Sequence, residues 1–200
     1  MLQRHPRADG TVTDLQKLHI LKSIVFAIGR VLLIPLRLLR RKKYGHARTD
    51  IPRMELPNDR FLPLVRSYVE DGKTVIINVK GFSMRPFLEH MRDSVKLSPW
   101  TDLNIGDAVL AEIAPGHFVL HRIIAIDGDA LTLMGDGNIR GTEACRRSDV
   151  CGVVTEYIRP NGHVLLASDP TLQRRIRLWR RLLPIRRWLL AIYRMANESW

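Results

Sequence analysis

FVLHRIIAIDGDALTLM, residues 118–134, reads as two β-strands joined by a tight turn. Aromatic and β-branched residues dominate 118–126, Asp127-Gly128-Asp129 supplies turn chemistry, and 130–134 resumes an apolar run. A lone hairpin is marginal in water, so further strands are required. They are visible on both sides, at 75–79, 94–98 and 108–113 before the hairpin and at 150–157 and 164–166 after it. About seven short strands need a closed or two-layered sheet to bury their apolar side. Ahead of the first strand, Phe61, Leu64, Val65, Tyr68 and Val69 recur at helical spacing and Gly72 follows as a stop. The expectation is a mainly β domain over residues 51–167.

Charge separates this domain from its flanks. The chain of 200 residues carries a formal net charge of +12, with 46% hydrophobic and 26% charged residues, a globular balance. Residues 1–50 hold 11 Lys/Arg against 3 Asp/Glu, and residues 168–200 hold 8 against 2. Residues 51–167 hold 13 against 15. A body without excess positive charge argues against a nucleic-acid-binding core. Cys145 and Cys151 lack zinc-site spacing and form no disulfide framework, so they read as two ordinary thiols.

The basic flanks suit an anionic membrane surface. In residues 15–39, Leu18, Leu21, Ile24, Val25, Ile28, Leu32 and Leu36 fall at helical spacing, but Lys22, Arg30 and Arg37 interrupt the run. Arg30 near the middle of a span costs roughly 3 kcal/mol, so the segment is expected to lie along the membrane interface rather than cross it. In residues 168–200, Leu172, Ile176, Trp179 and Leu183 form one apolar helical face, Pro184 interrupts, and Leu189, Ile192 and Tyr193 continue. Rings mixed with arginines fit a headgroup region, with docking on the body as the alternative. The location expected is peripheral attachment to the cytoplasmic membrane.

The candidate chemistry starts at residues 79–88, VKGFSMRPFL. Gly81 permits a sharp bend, Pro86 forbids an ordinary strand ladder, and Ser83 lies between them. A serine on such a bend suits a nucleophile and equally a turn residue. His121, inside the hairpin strand, is the candidate base; His90, in the loop after the serine, is a rival, and Lys80 and Lys96 are others. His117 reads as a turn residue. Asp136, between two glycines, and Glu143, on a stretch expected to be loose, are the candidate carboxylates.

Taken in order, Gly81-Phe82-Ser83-Met84-Arg85-Pro86, Ile105-Gly106-Asp107-Ala108-Val109, His121-Arg122-Ile123 and Gly135-Asp136-Gly137-Asn138 resemble the motif set of type I signal peptidases and their relatives. The resemblance spans residues 74–160. It implies the β-rich catalytic fold shared with the self-cleaving repressors of the SOS response, here flanked by basic amphipathic helices. It also implies a serine endopeptidase with Ser83 as nucleophile. His121 stands where bacterial members place a lysine, as in the histidine-containing archaeal and endoplasmic-reticulum branch. Asp136 matches the family's Gly-Asp segment. A second family aspartate corresponds to the vicinity of Thr142 and Glu143, which leaves the partner of His121 open between Asp136 and Glu143.

The implied substrate is a peptide or precursor protein with small residues near the scissile bond, bound as an added strand, with no cofactor and no metal. Many members carry a serine two residues before the nucleophile; Gly81 stands there. The competing expectation is a weak or inactive peptide-binding or regulatory module of the same fold. A DNA-binding repressor ranks last, because residues 1–50 hold one interrupted helix and no helix-turn-helix pair.

Overall fold

The structure, a computed structural model, describes residues 58–197. The membrane-interface helix expected over residues 15–39 lies outside the described residues. Helix α1 (Asn58–Glu70) buries Val65 and Val69 against the sheet, while Leu64 and Tyr68 from the expected apolar face stay exposed. Gly72, at φ +80°, ends it. Arg66 ties α1 to the sheet through Glu112, 2.7 Å away, and the Ser148 carbonyl, 3.1 Å away.

Eight antiparallel strands follow. They are β1 (Val75–Asn78), β2 (Ser94–Ser98), β3 (Ala108–Ala114), β4 (His117–Asp127), β5 (Ala130–Met134), β6 (Glu143–Arg146), β7 (Val150–Ile158) and β8 (Val164–Leu166). The sheet runs β1-β2-β7-β3-β4-β5-β6, with β8 added on β7. Both faces are covered. Along β3, Ala108 and Leu110 enter one core with Leu97, Val154 and Tyr157, whereas Val109 and Ala111 enter a second with Ile123, Leu131 and Leu133. That is the period-2 alternation of a strand buried on both sides. The domain is thus a β-rich sheet flanked by a few short helices.

The eighth strand, β6, was not expected from the sequence. Its Glu-Ala-Cys-Arg lacks strand-forming residues apart from the buried Cys145, yet it pairs with β5 from Leu133↔Glu143 to Ala130↔Arg146. Glu143 therefore opens a paired strand and does not sit on a loose segment.

The chain ends with α2 (Pro170–Arg181), a short 3₁₀ turn at Leu183–Ile185, and α3 (Arg186–Asn197). Asp169 caps α2 by accepting the Thr171 and Leu172 N–H groups. Leu172, Ile176 and Trp179, the face expected at a bilayer, are buried in the first core together with Leu189 and Leu190. Each such side chain stabilises the docked position by about 1.5–3 kcal/mol relative to exposure in water. Docking on the body, the alternative reading of this segment, is what the described residues adopt. No helix among the described residues is long and apolar enough to cross a membrane.

Candidate active site

The loop of residues 79–93 is closed at its base, where Val79 N–H donates to Asp93 O (2.9 Å) and Met91 N–H to Val79 O (2.8 Å). Gly81 turns at φ +92°, in the left-handed region that L side chains avoid. Its N–H donates to His90 Nδ1 at 2.9 Å, and the Phe82 ring packs on the His90 ring at 5.0 Å. His90, a rival base in the sequence, thus serves the turn. Lys96, another rival, is paired with Glu156 at 3.0 Å. Lys80 is exposed on the turn itself. Beyond the serine, Met84, Phe87 and Leu88 are buried in the core and anchor the loop. Ser83 is left half-buried between that anchor and the exposed Phe82.

The glycine segment after β5 fits directly beneath this loop. Gly137 N–H donates to Ser83 O at 2.6 Å. A Cβ at Gly135 would fall 2.5 Å from Ser83 O, and one at Gly137 would fall 2.7 Å from Phe82 O. Both positions require glycine because main chain meets main chain there. The first and fourth motifs of the sequence are therefore in contact.

His121 is on β4, buried, opposite Val109 of β3. Arg122 pairs with Met134, the last residue of β5, and Gly135 follows it directly. The Ser83 main chain lies over the missing Gly135 side chain at that strand end. His121 Nδ1 lies 2.8 Å from Glu143 Oε2. Among the described residues, neither His121 Nε2 nor Ser83 Oγ has a hydrogen-bond partner.

Asp136 does not reach His121. Its carboxylate is held by Arg122, with Nε at 2.9 and 3.1 Å from the two oxygens and Nη2 at 2.5 Å from Oδ2. Alternation along β4 explains the difference: Arg122 follows His121 and points to the opposite face. Arg122 also donates to Gly106 O at 2.7 Å and lies over the Phe87 ring at 5.5 Å. One buried guanidinium thus contacts residues of the first, second and fourth motifs or their immediate flank. Burial works against its charge, but Asp136 and Tyr157 more than offset this and raise its pKa.

Sequence reasoning missed the third layer. Trp179 Nε1 donates to Asp136 O at 2.8 Å, and Arg186 Nη1 donates to Asn138 O at 3.0 Å. The α2–α3 unit therefore clamps the loop on which the Ser83 turn sits. Burial pushes the Arg186 pKa down, Asp136 opposes this, and Arg122 and Arg180 add to it. Nothing in an arginine-rich terminus distinguishes Arg186 from its solvated neighbours. Cys145 and Cys151 are free and buried, away from these contacts.

Chemically, the arrangement combines a buried imidazole, one nitrogen facing a carboxylate and the other unengaged, with a half-buried hydroxyl on a tightly held turn. Those are the parts needed for nucleophilic acyl transfer. No protein-family model, curated protein or solved structure matches the chain.

Proposed function

We propose that the chain is a serine endopeptidase of the signal-peptidase type, with Ser83 as nucleophile, His121 as base and Glu143 as the residue that orients His121. The observation that carries the reading is the 2.8 Å contact between His121 Nδ1 and Glu143 Oε2. A carboxylate on Nδ1 favours the tautomer with its proton there and leaves Nε2 as acceptor. Ser83 Oγ attacks the peptide carbonyl as His121 Nε2 takes its proton. The imidazolium then protonates the leaving amine, and water, deprotonated by the same nitrogen, releases the acyl group. Asp136 acts elsewhere, fixing with Arg122 the glycine segment that supports Ser83 O.

A fluorophosphonate probe tests this assignment. Adduct mapping is expected to place the label on Ser83, with labelling abolished in Ser83→Ala and strongly slowed in His121→Ala. Label spread over several hydroxyls would sink the assignment.

One observation favours a second reading, a peptide-binding module without turnover: Ser83 Oγ and His121 Nε2 make no hydrogen bond to one another. Catalytic contacts of this kind are often long before substrate binds. Peptide affinity that is unchanged in Ser83→Ala, without cleavage by the parent, would select the module.

A further inference from the structure

The outer side of the α2–α3 unit has a composition that the docked inner side does not explain. Residues 170–197 contain eight arginines, of which Arg186 is turned inward, and among the described residues none of the eight forms an ion pair. Asp169, the acidic residue just ahead of α2, is committed to capping it. Arg177, Arg180 and Arg181 line a surface cavity that has no carboxylate of the described residues in its wall. Around the bend that joins the helices, large apolar side chains are exposed beside these charges: Leu178 at 43%, Leu183 at 38% and Trp188 at 53%. Arg187 lies over the Trp188 ring at 5.4 Å. A solvated face of a soluble protein has no need to expose these together.

We infer that the α2–α3 bend is a docking surface for an anionic phospholipid bilayer, with Arg177, Arg181 and Arg187 facing lipid phosphates and Leu183 and Trp188 entering the headgroup boundary. This differs from the expectation drawn from sequence, in which Leu172, Ile176 and Trp179 would face lipid; those residues are inside the protein. Charge complementarity selects an anionic partner, and the interleaved apolar side chains select a bilayer. A nucleic acid would satisfy the arginines but leave Leu178, Leu183 and Trp188 in water. Long arginine stems tolerate the arrangement because their guanidinium groups reach upward to the phosphates. The inference is independent of whether Ser83 is catalytic.

The test is flotation of the full chain with vesicles of about 70% phosphatidylcholine and about 30% phosphatidylserine, compared with phosphatidylcholine alone. Each basic residue near such a surface contributes about fivefold in partitioning, so Arg177→Gln/Arg181→Gln/Arg187→Gln is expected to bind roughly 100-fold less. These side chains are exposed, and an unchanged thermal midpoint will verify the fold. Because residues 1–50 are also basic, the comparison between parent and variant isolates this surface. Trp188 fluorescence is expected to shift to the blue on vesicle addition, and Trp188→Phe is expected to lose that part of the shift while still binding. Equal partitioning of the triple variant and the parent would overturn the inference. So would tight binding of duplex DNA that is lost in the triple variant, with vesicles ignored, which would make the surface a nucleic-acid site.

Discussion

Glu143 reaches His121 across β5, with Oε2 of the one 2.8 Å from Nδ1 of the other, and the contact depends on β6 being a strand in register with Leu133. On the proposed mechanism this pair fixes which imidazole nitrogen is free. Glu143→Gln is expected to lower kcat/KM on a cleavable peptide by about 10²-fold, and His121→Ala by about 10³-fold or more, both with near-parental thermal midpoints. A parental rate in Glu143→Gln would remove Glu143 from the mechanism.

Asp136 is expected to behave in the opposite way. It and Arg122 are both buried, joined by three short contacts, so removing either leaves the other charge uncompensated. Asp136→Leu and Arg122→Met should each cost about 3–5 kcal/mol, while the double variant should cost less than the sum. Chemical denaturation of the four proteins measures this coupling. An additive double variant would mean that the two residues stabilise the fold separately.

The contrast between these two carboxylates shows what could be read in the sequence. The strands around His121 were legible because β-branched and aromatic residues fill them at the right lengths. β6 was not: Glu143-Ala144-Cys145-Arg146 has weak strand propensity and owes its conformation to pairing with β5 at the end of the sheet. Asp136 was legible as a motif residue, but its partner was not, because a fully buried arginine looks like any surface arginine until strand alternation turns it inward. The face formed by Leu172, Ile176 and Trp179 was legible as apolar. Its destination was not, since a protein core and a bilayer both accept leucine, isoleucine and tryptophan.

Alkaline pH provides a test of the two cores. Burial pushes the Cys145 and Cys151 thiols up to about 11 from 9.0. Burial, then the Glu89 contact, also raises the Tyr193 hydroxyl. A raised folded-state pKa means that the folded chain keeps a proton the unfolded chain releases. The associated stability is therefore fully present below about pH 9 and is lost as pH rises towards about 11. Urea midpoints are expected to fall across that window, and less steeply in Cys151→Ala. A flat profile above pH 9 would show that the thiols ionise as readily in the fold as outside it.

The glycines around Ser83 separate two physical reasons for the residue. At Gly81 the reason is backbone conformation: φ is +92°, and a Cβ would meet nothing within 4 Å. Gly81→Ser, which introduces the hydroxyl that many signal peptidases carry at this place, is expected to cost about 1–2 kcal/mol from strain alone. It should not raise activity, because the turn that presents Ser83 is disturbed as the hydroxyl arrives. At Gly135 the reason is space: its Cβ would fall 2.5 Å from Ser83 O, backbone against backbone. Gly135→Ala is expected to cost about 1–3 kcal/mol and to displace the Ser83 turn. Gly162→Ala is the control, with φ +75° and nothing near its Cβ, in the turn between β7 and β8. It shares the strain of Gly81 but touches no part of the site. The readouts are the thermal midpoint and the rate of Ser83 acylation by a fluorophosphonate probe. All three variants should lower the midpoint, but only the substitutions at 81 and 135 should slow acylation. Slowing of equal size in Gly162→Ala would attribute the loss to general destabilisation and detach the glycine segment from the proposed site.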